Sequence, residues 1–353
     1  MYNYPCNPEK DTPEEMFGRK LYEEFTLVVR LKKQVRVTDP DWQDLLHHVR
    51  HGCCRAHHIA MLQSLVITNP KGVQTDFTTA PWNECVLITP RHSVRRQWNA
   101  KMLREHCKRR GVPLFICRAY DSVQGRVVTL AEKFSIAKKT NRAKSRSDER
   151  GGLPNVVESA IGMKVMVTFN IETDLDVANG ARGEIVEIKL DERETQITHA
   201  SSTNHLQYPP LYILVRLGRT KASQLHSLEK NVVPIVPMQW SFKIYDNDVE
   251  KNISRQQLPI TAAYAFTDYR SQGQTIPYAL IDIASPPTGG LTPFNIYVAL
   301  SRARGKDNIR LLREFDEKPL TTHPNGHLRN ENERLQLLDE RTKLWWEMIQ
   351  KKN

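Results

Sequence analysis

The chain has 353 residues, with 39% apolar and 26% charged side chains and a formal charge of +11. That is enough to bury one sizeable core and a smaller second one, and too apolar for a disordered polyelectrolyte. The basic balance favours a polyanionic partner, nucleic acid or, as the alternative, an anionic membrane surface.

No apolar run approaches spanning length, and the first residues carry neither a signal-peptide core nor an arginine-rich transit pattern. The six cysteines form no Cys-x-x-Cys pair and no even framework, which fits reduced thiols. The expectation is an intracellular, nuclear protein without a membrane partner.

In chain order, Phe25 to Arg36 is rich in β-formers and ends in basic residues. Asp39-Pro40-Asp41-Trp42 opens a helix with a capping carboxylate and proline in the first turn, and Gly52 closes it. His47, His48, His51, Cys53, Cys54, His57 and His58 offer enough donors for zinc, but they crowd around one turn instead of forming two separated pairs. A helix end, a turn and a second helix account for them, and no metal site is expected.

Glu84 to Pro90 reads as a strand leading into the basic helix Arg91 to Arg104. There Trp98, Met102 and Leu103 form a core stripe, while the arginines either lie along a phosphate backbone or are a solvated face. From Glu132 to Gly152 the composition shifts, and Lys138 to Gly152 is polar, basic and nearly free of large apolar residues, as in a flexible surface insertion. Lys164 to Phe169, Gly183 to Leu190, Leu211 to Leu217 and Val232 to Val236 are short strands separated by turn residues, the pattern of a small barrel. Asp191 to Tyr208 is a long polar connection, and Gln257 to Ile260 returns to the main sheet. Ala279 to Ala284 has the length and apolarity of a buried parallel strand. Asn332 to Ile349 is a terminal helix whose Trp345 and Trp346 either pack on the domain or mark a docking face.

Two segments flank the Ala279 strand. The first is Ala263-Tyr264-Ala265-Phe266-Thr267-Asp268-Tyr269-Arg270-Ser271-Gln272-Gly273-Gln274-Thr275, and the second is Tyr297-Val298-Ala299-Leu300-Ser301-Arg302-Ala303-Arg304. A small-residue turn and a cation at the C-terminal edge of parallel strands suit the handling of phosphates. These segments resemble motifs V and VI of the superfamily 1B (RecD-like) DNA helicases, in the branch of petite-integration-frequency and Helitron transposon helicases. Tyr269 stands where that family has His, and Arg270 where it has Lys. Phe25 to Arg36 resembles motif IV, a strand followed by a nucleotide-reaching arginine. Asn179-Gly180-Ala181-Arg182-Gly183, preceded by Ile161 to Val167, resembles the family's inserted Src-homology-3-like barrel.

The sequence contains no G-x-x-x-x-G-K-[ST] phosphate loop, and Asp316-Glu317 follows the last of these motifs instead of preceding motif IV, where a magnesium-binding acidic pair would belong. The resemblance therefore implies a RecA-like α/β domain with a parallel sheet, lacking its own phosphate loop and carrying a small inserted β-barrel. The implied division is 1–127 as the first part of the motor domain, 128–158 as the basic insertion and 159–258 as the barrel. Residues 259–320 return to the motor domain, and 321–353 form the terminal helix.

The function implied is that of the C-terminal half of an ATP-dependent DNA helicase. ATP and Mg2+ would be bound only in a complete motor, with the N-terminal RecA-like half supplied in cis or in trans, and the chain alone would not hydrolyse ATP. Arg302 and Arg36 would stabilise phosphoryl transfer, with Arg304 the competitor of Arg302. Gly273 and Gln274 would line the nucleotide cleft, while Thr267, Tyr269, Ser271, Thr89 and Arg91 would face single-stranded DNA. The alternative is a non-catalytic nucleic-acid-binding module or transposon-derived remnant.

Overall fold

The computed structural model describes residues 11–142, 152–194, 202–246, 249–272, 274–287, 290–323 and 326–351. In chain order the elements are α1 (Pro13–Glu23), α2 (Pro40–His51), α3 (Ala56–Ser64), β1 (Val86–Ile88), α4 (His92–Arg110), β2 (Leu114–Arg118), β3 (Tyr120–Val123), β4 (Arg126–Val127) and α5 (Leu130–Arg142). They continue with β5 (Val156–Ser159), β6 (Lys164–Val167), β7 (Arg182–Lys189), β8 (Thr203–Leu206), β9 (Tyr212–Leu217), β10 (Val232–Ile235), β11 (Met238–Asp246) and β12 (Val249–Gln257). The last are β13 (Ile260–Ala262), β14 (Ala265–Phe266), α6 (Asp268–Ser271), β15 (Ala279–Ile281), α7 (Pro293–Leu300), β16 (Ile309–Leu311), α8 (Lys318–Thr321) and α9 (Gly326–Gln350). They fall into two compact units, one of Met1–Asn83 with Gln272–Asn353 and one of Glu84–Ser271.

In the first unit, α2 forms as its sequence predicts. Asp39 accepts from the N–H groups of Asp41 and Trp42 at 3.1 and 3.2 Å, and Gly52 ends the helix at φ 60°. A side chain at Gly52 would be strained, and its Cβ would lie 1.9 Å from the Thr322 carbonyl oxygen. The buried face of Trp42, Leu45, Leu46 and Val49 keeps helical spacing, and Trp42 Nε1 donates to Leu300 O at the end of α7. β15 and β16 are parallel, in register from Ala279↔Ile309 to Ile281↔Leu311, and Val66 adds a parallel bridge at Leu311. Both strands are wholly buried, as parallel strands covered on both faces require.

Phe25 to Gln34 departs from the motif IV strand expected there, because among the described residues no strand pairs with it. Instead α9 holds it by side chains: Thr342 Oγ1 accepts from Val28 N at 3.1 Å and Asp339 Oδ1 from Arg30 N at 2.9 Å. The buried residues of α9 are the polar Glu331, Asp339 and Thr342. Its apolar Leu344, Trp345, Trp346 and Met348 are exposed.

In the second unit, β1 and β14 are parallel, with Leu87 opposite Ala265 and Ile88 opposite Phe266. α4 lies over β14 and replaces a missing strand neighbour with one amide. Asn99 Oδ1 accepts from Tyr264 N and Ala265 N at 3.0 and 2.8 Å, and Nδ2 donates to Ala265 O at 3.4 Å. Trp98 and Met102 pack beside the buried Leu103 against a core built from the strands that follow.

Four of those strands appear where turn spacing placed them, joined antiparallel in the order β10-β9-β7-β6 around Val165, Val167, Ile185, Ile213 and Val215, and β13, expected to lead back to the main sheet, adds to this sheet beside β6. Of the basic segment expected as a surface insertion, Leu130–Arg142 is helical, with Ile136 in a small core beside Ile244 and Ile253, and residues 143–151 lie outside the described residues. Glu132 is buried and binds Arg126 at 2.7 Å and Lys251 at 3.0 Å. Within the polar connection from Asp191 to Tyr208, Thr203–Leu206 forms β8, paired parallel to β2.

Candidate functional site

The first unit brings Arg36 and Arg302 together. α7 ends at Leu300, so Arg302 lies just beyond the helix, not within it as the motif order suggests. Its Nε donates to Val298 O and its Nη2 to the Ser301 hydroxyl, each at 2.7 Å. Arg36 donates from Nη1 to Ser301 O and from Nε to Thr275 Oγ1, each at 3.1 Å. Two guanidinium groups thus converge on Ser301 through neutral acceptors. Burial first, and the charge of Arg36 second, push Arg302 down to about 10, which leaves it a cation at neutral pH.

Thr275 adds a hydroxyl beside Arg36, Gln274 one residue earlier is half-buried, and Ile276 N donates to Arg302 O at 3.0 Å. Gly273 lies outside the described residues. Arg304 is exposed and offers its backbone carbonyl to Thr38 N, which separates it from Arg302.

This constellation suits phosphate oxygens, for which planar cations and hydroxyls are good donors. It does not suit Mg2+. Among the described residues nearby in the sequence, Asp282 is buried against Arg313 at 3.0 Å, Asp316 accepts from Lys318 N, and Glu317 accepts from Gln63. A magnesium ion needs carboxylate and water ligands in near-octahedral array, and these carboxylates are already engaged.

The second unit separates the residues expected on a nucleic-acid track. Thr89 is fully buried, and its hydroxyl accepts from Arg91 N at 3.2 Å. Thr267 is buried at the start of α6, and Ser271, also buried, donates to Asp268 O at 2.6 Å. These hydroxyls secure strand-to-helix turns. Tyr269 is 66% exposed and faces outward in this conformation, whereas Arg91 is half-buried.

Alongside lies a cleft of about 440 Å³, bordered by α4, β5 and β13. Arg95, Arg96 and Arg270 line it together with Thr168 and Thr261. Sequence reading placed Arg95 and Arg96 on a basic helix without choosing between backbone contact and a solvated face. The spacing Arg95, Asn99, Leu103 was the available signal that the cleft-facing stripe of α4 is the buried one.

The histidine cluster adopts the helix, turn, helix arrangement. Asp44, His48 and His58 have ligand atoms within 4.8 Å of one another. Arg55 N donates to His58 Nδ1 at 3.1 Å, so neutral His58 carries its proton on Nε2 and donates it to Asp44 Oδ2 at 2.7 Å. That proton stands where a metal would bind, and the group works as a hydrogen bond between α2 and α3.

No family model matches the chain. The "ATP-dependent DNA helicase PIF7" of Trypanosoma brucei brucei is 26% identical over 303 residues, covering 82% of this chain and 29% of that protein. The "ATP-dependent DNA helicase PIF1" of Saccharomyces cerevisiae is 31% identical over 136 residues, 38% of this chain and 14% of that protein. Among solved structures, Pif1 helicase from Bacteroides in complex with ADP-AlF3 and ssDNA superposes with a TM-score of 0.56 at 16% identity, covering 92% of this chain and 63% of that one.

With its parallel strand pairs and ordered motifs, the chain has a RecA-like helicase fold. Its curated relatives and superposed structures are Pif1-type helicases, and within that class the chain resembles the Pif1-like superfamily 1B helicases. The chain spans less than a third of the length of the two curated relatives. Among the described residues, no helix is long and apolar enough to cross a membrane.

Proposed function

We propose that this chain is the C-terminal motor half of an ATP-dependent DNA helicase. The observation that carries the reading is the convergence of Arg36 and Arg302 on Ser301 beside Thr275. A transferring phosphoryl group spreads negative charge over its oxygens, and cations preorganised at a site partly shielded from water stabilise that charge without reorganising. ATP would arrive on an N-terminal RecA-like half that carries the phosphate loop and the Mg2+ ligands, in cis or in trans. In the second unit, the arginine-lined cleft and Tyr269 would engage single-stranded DNA, the arginines through phosphates and the phenol ring by stacking on a base. The Src-homology-3-like barrel and the five-part division of the chain belong to the same proposal.

The competing reading, a non-catalytic nucleic-acid-binding module, shares the second site and lacks the first. Two measurements separate them. The isolated chain should hold single-stranded DNA more tightly than duplex or heparin at fixed ionic strength, with no ATP turnover. Joined to a phosphate-loop half, it should show DNA-stimulated turnover. Equal affinity for all three polyanions would sink the nucleic-acid part, and a joined motor without turnover the catalytic part.

A further inference from the structure

An aromatic pair stands beside the arginine-lined cleft. Gly152 and Thr168 line the cleft. A Cβ at Gly152 would lie 3.9 Å from Trp240 Nε1, and Phe169, the residue after Thr168, meets the Trp240 ring edge-on with centroids 5.7 Å apart. Trp240 shares a face of β11 with Phe242 and Ile244, since side chains alternate along a strand. Ile244 is buried and Phe242 packs beside it, whereas Trp240 is 41% exposed. The core of that face therefore ends before Trp240, whose ring keeps open surface next to the cleft. Arg270 lines the cleft as well, and its neighbour in α6 is the exposed Tyr269. All of these residues belong to one unit, Glu84–Ser271.

The charge beside the ring narrows the ligand. Arg95, Arg96 and Arg270 bring three cations, and Glu158, the one carboxylate among the described lining residues, is bound by Arg104 at 2.8 and 3.2 Å. An apolar or proline-rich peptide would meet the ring and leave the cations uncompensated. A nucleic-acid duplex would offer phosphates but keep its bases stacked out of reach. A single strand offers both, phosphates for the guanidinium groups and a bare base for the indole. We propose that Trp240, backed by Phe169, is a base-stacking platform for the single strand whose phosphates lie on the arginines of the cleft, a ring contact separate from Tyr269. This rests on the nucleic-acid part of the reading above, and it puts a base-dependent contact on the β11–β12 hairpin, outside the motif segments.

The test compares two strands of equal length and charge, oligothymidylate and its fully abasic counterpart, each about ten nucleotides long, binding to the full chain at fixed ionic strength. Wild type should prefer the thymidylate. Trp240→Ala should weaken the thymidylate about tenfold and leave the abasic strand unchanged, and Trp240→Phe should keep most of the preference. Arg96→Gln, at an exposed position of α4, should weaken both strands alike. With Tyr269→Ala added to Trp240→Ala, the losses on thymidylate should multiply, because the rings meet different bases. A role of Trp240 in folding alone would lower both strands together. That outcome, no change on either strand, or a double variant that binds no more weakly than Trp240→Ala overturns the platform and leaves the nucleic-acid reading standing. The nucleic-acid reading falls instead if wild type holds thymidylate no more tightly than heparin.

Discussion

The two units carry polar residues from adjacent helicase-like motifs and use them in opposite ways. In the second unit, Thr89, Thr267 and Ser271 turn inward and spend their hydroxyls on their own backbone, while Tyr269 is exposed and Arg95, Arg96 and Arg270 line the cleft. In the first unit, the buried polar group is itself the reactive candidate. Arg302 is held at two points by Val298 and Ser301 while its charge is retained. Burial therefore goes with backbone scaffolding in one place and, in the other, with a retained charge that the proposed function reads as preorganisation. What separates them is whether the buried group is a neutral hydroxyl bonded to its own backbone or a guanidinium that keeps its charge.

The sharpest way to break this contrast is through Arg302. In a motor completed with a phosphate-loop half, Arg302→Ala should lower ATP turnover about 10³-fold while single-stranded DNA affinity stays near wild type. Arg304, exposed and joined to its surroundings by its backbone, should matter far less when changed to Ala. Steady-state turnover and fluorescence anisotropy on the same samples check both. A larger loss at Arg304 would mean that the buried arginine is scaffold, as the second unit's hydroxyls are.

Next in size is the scaffold itself. Asn99→Ala would leave Tyr264 N and Ala265 N buried without their acceptor, at about 2–4 kcal/mol of unfolding free energy by urea titration. Asn99→Asp keeps the acceptor and should lose less. A neutral Asn99→Ala would show that water or a shift of α4 satisfies β14, and that the amide is not what places motif V.

Much of this was legible from local sequence. The Asp39 cap, Pro40 and Gly52 gave α2 to the residue, and the apolar Ala279 run gave β15, because caps and short apolar strands depend on near neighbours. The ordered motifs also pointed to the arginine pair. The burial of Thr267 and Ser271 was not legible, since a Thr or Ser at the edge of a four-residue helix reads the same whether its hydroxyl faces solvent or a carbonyl. Phe25 to Arg36 misled for a related reason: its pattern is truly that of a strand, but pairing requires a partner, and α9 offers only side chains. The helix Leu130–Arg142 was hidden by its basic composition, for its anchors are a single Ile136 and a carboxylate, Glu132, whose burial only the distant Lys251 and nearby Arg126 make tolerable.

Tyr269 sharpens the comparison at the level of binding. Because Thr267 and Ser271 are internal, changing them tests folding, whereas Tyr269→Ala removes an exposed ring and should weaken single-stranded DNA binding about tenfold at fixed salt. Tyr269→Phe should keep most of the affinity if stacking is the contact. Tyr269→His, which restores the residue usual in the related motif, should bind at least as well. Unchanged affinity in Tyr269→Ala would leave binding to the arginines of the cleft alone.

The smallest expected effect separates the units by pH. His47 and His58 both sit below their ordinary value, chiefly through burial, with neighbouring histidines adding to it; at His58 the bond to Asp44 opposes the shift. A histidine whose folded value is depressed stabilises the fold above its unfolded value of about 6.5, and that contribution is lost as pH falls through the folded value. In the second unit the described groups shifted in the acid range are carboxylates, among them Glu132 and Asp191. Glu132 is held well below the carboxylate range by Arg126, Thr129 and Lys251, and Asp191 is lowered to about 2 by Arg193. Their contribution is present above about pH 4 and lost only below it. Between pH 7 and 5, then, α2 and α3 should lose hydrogen-exchange protection, corrected for intrinsic rates, while α5 and β12 keep theirs. His58→Gln should flatten the response of α2 and α3, because glutamine cannot take up the proton that drives it. Equal loss in both regions, or none in either, would mean that the histidine pair does not set the acid sensitivity of the first unit.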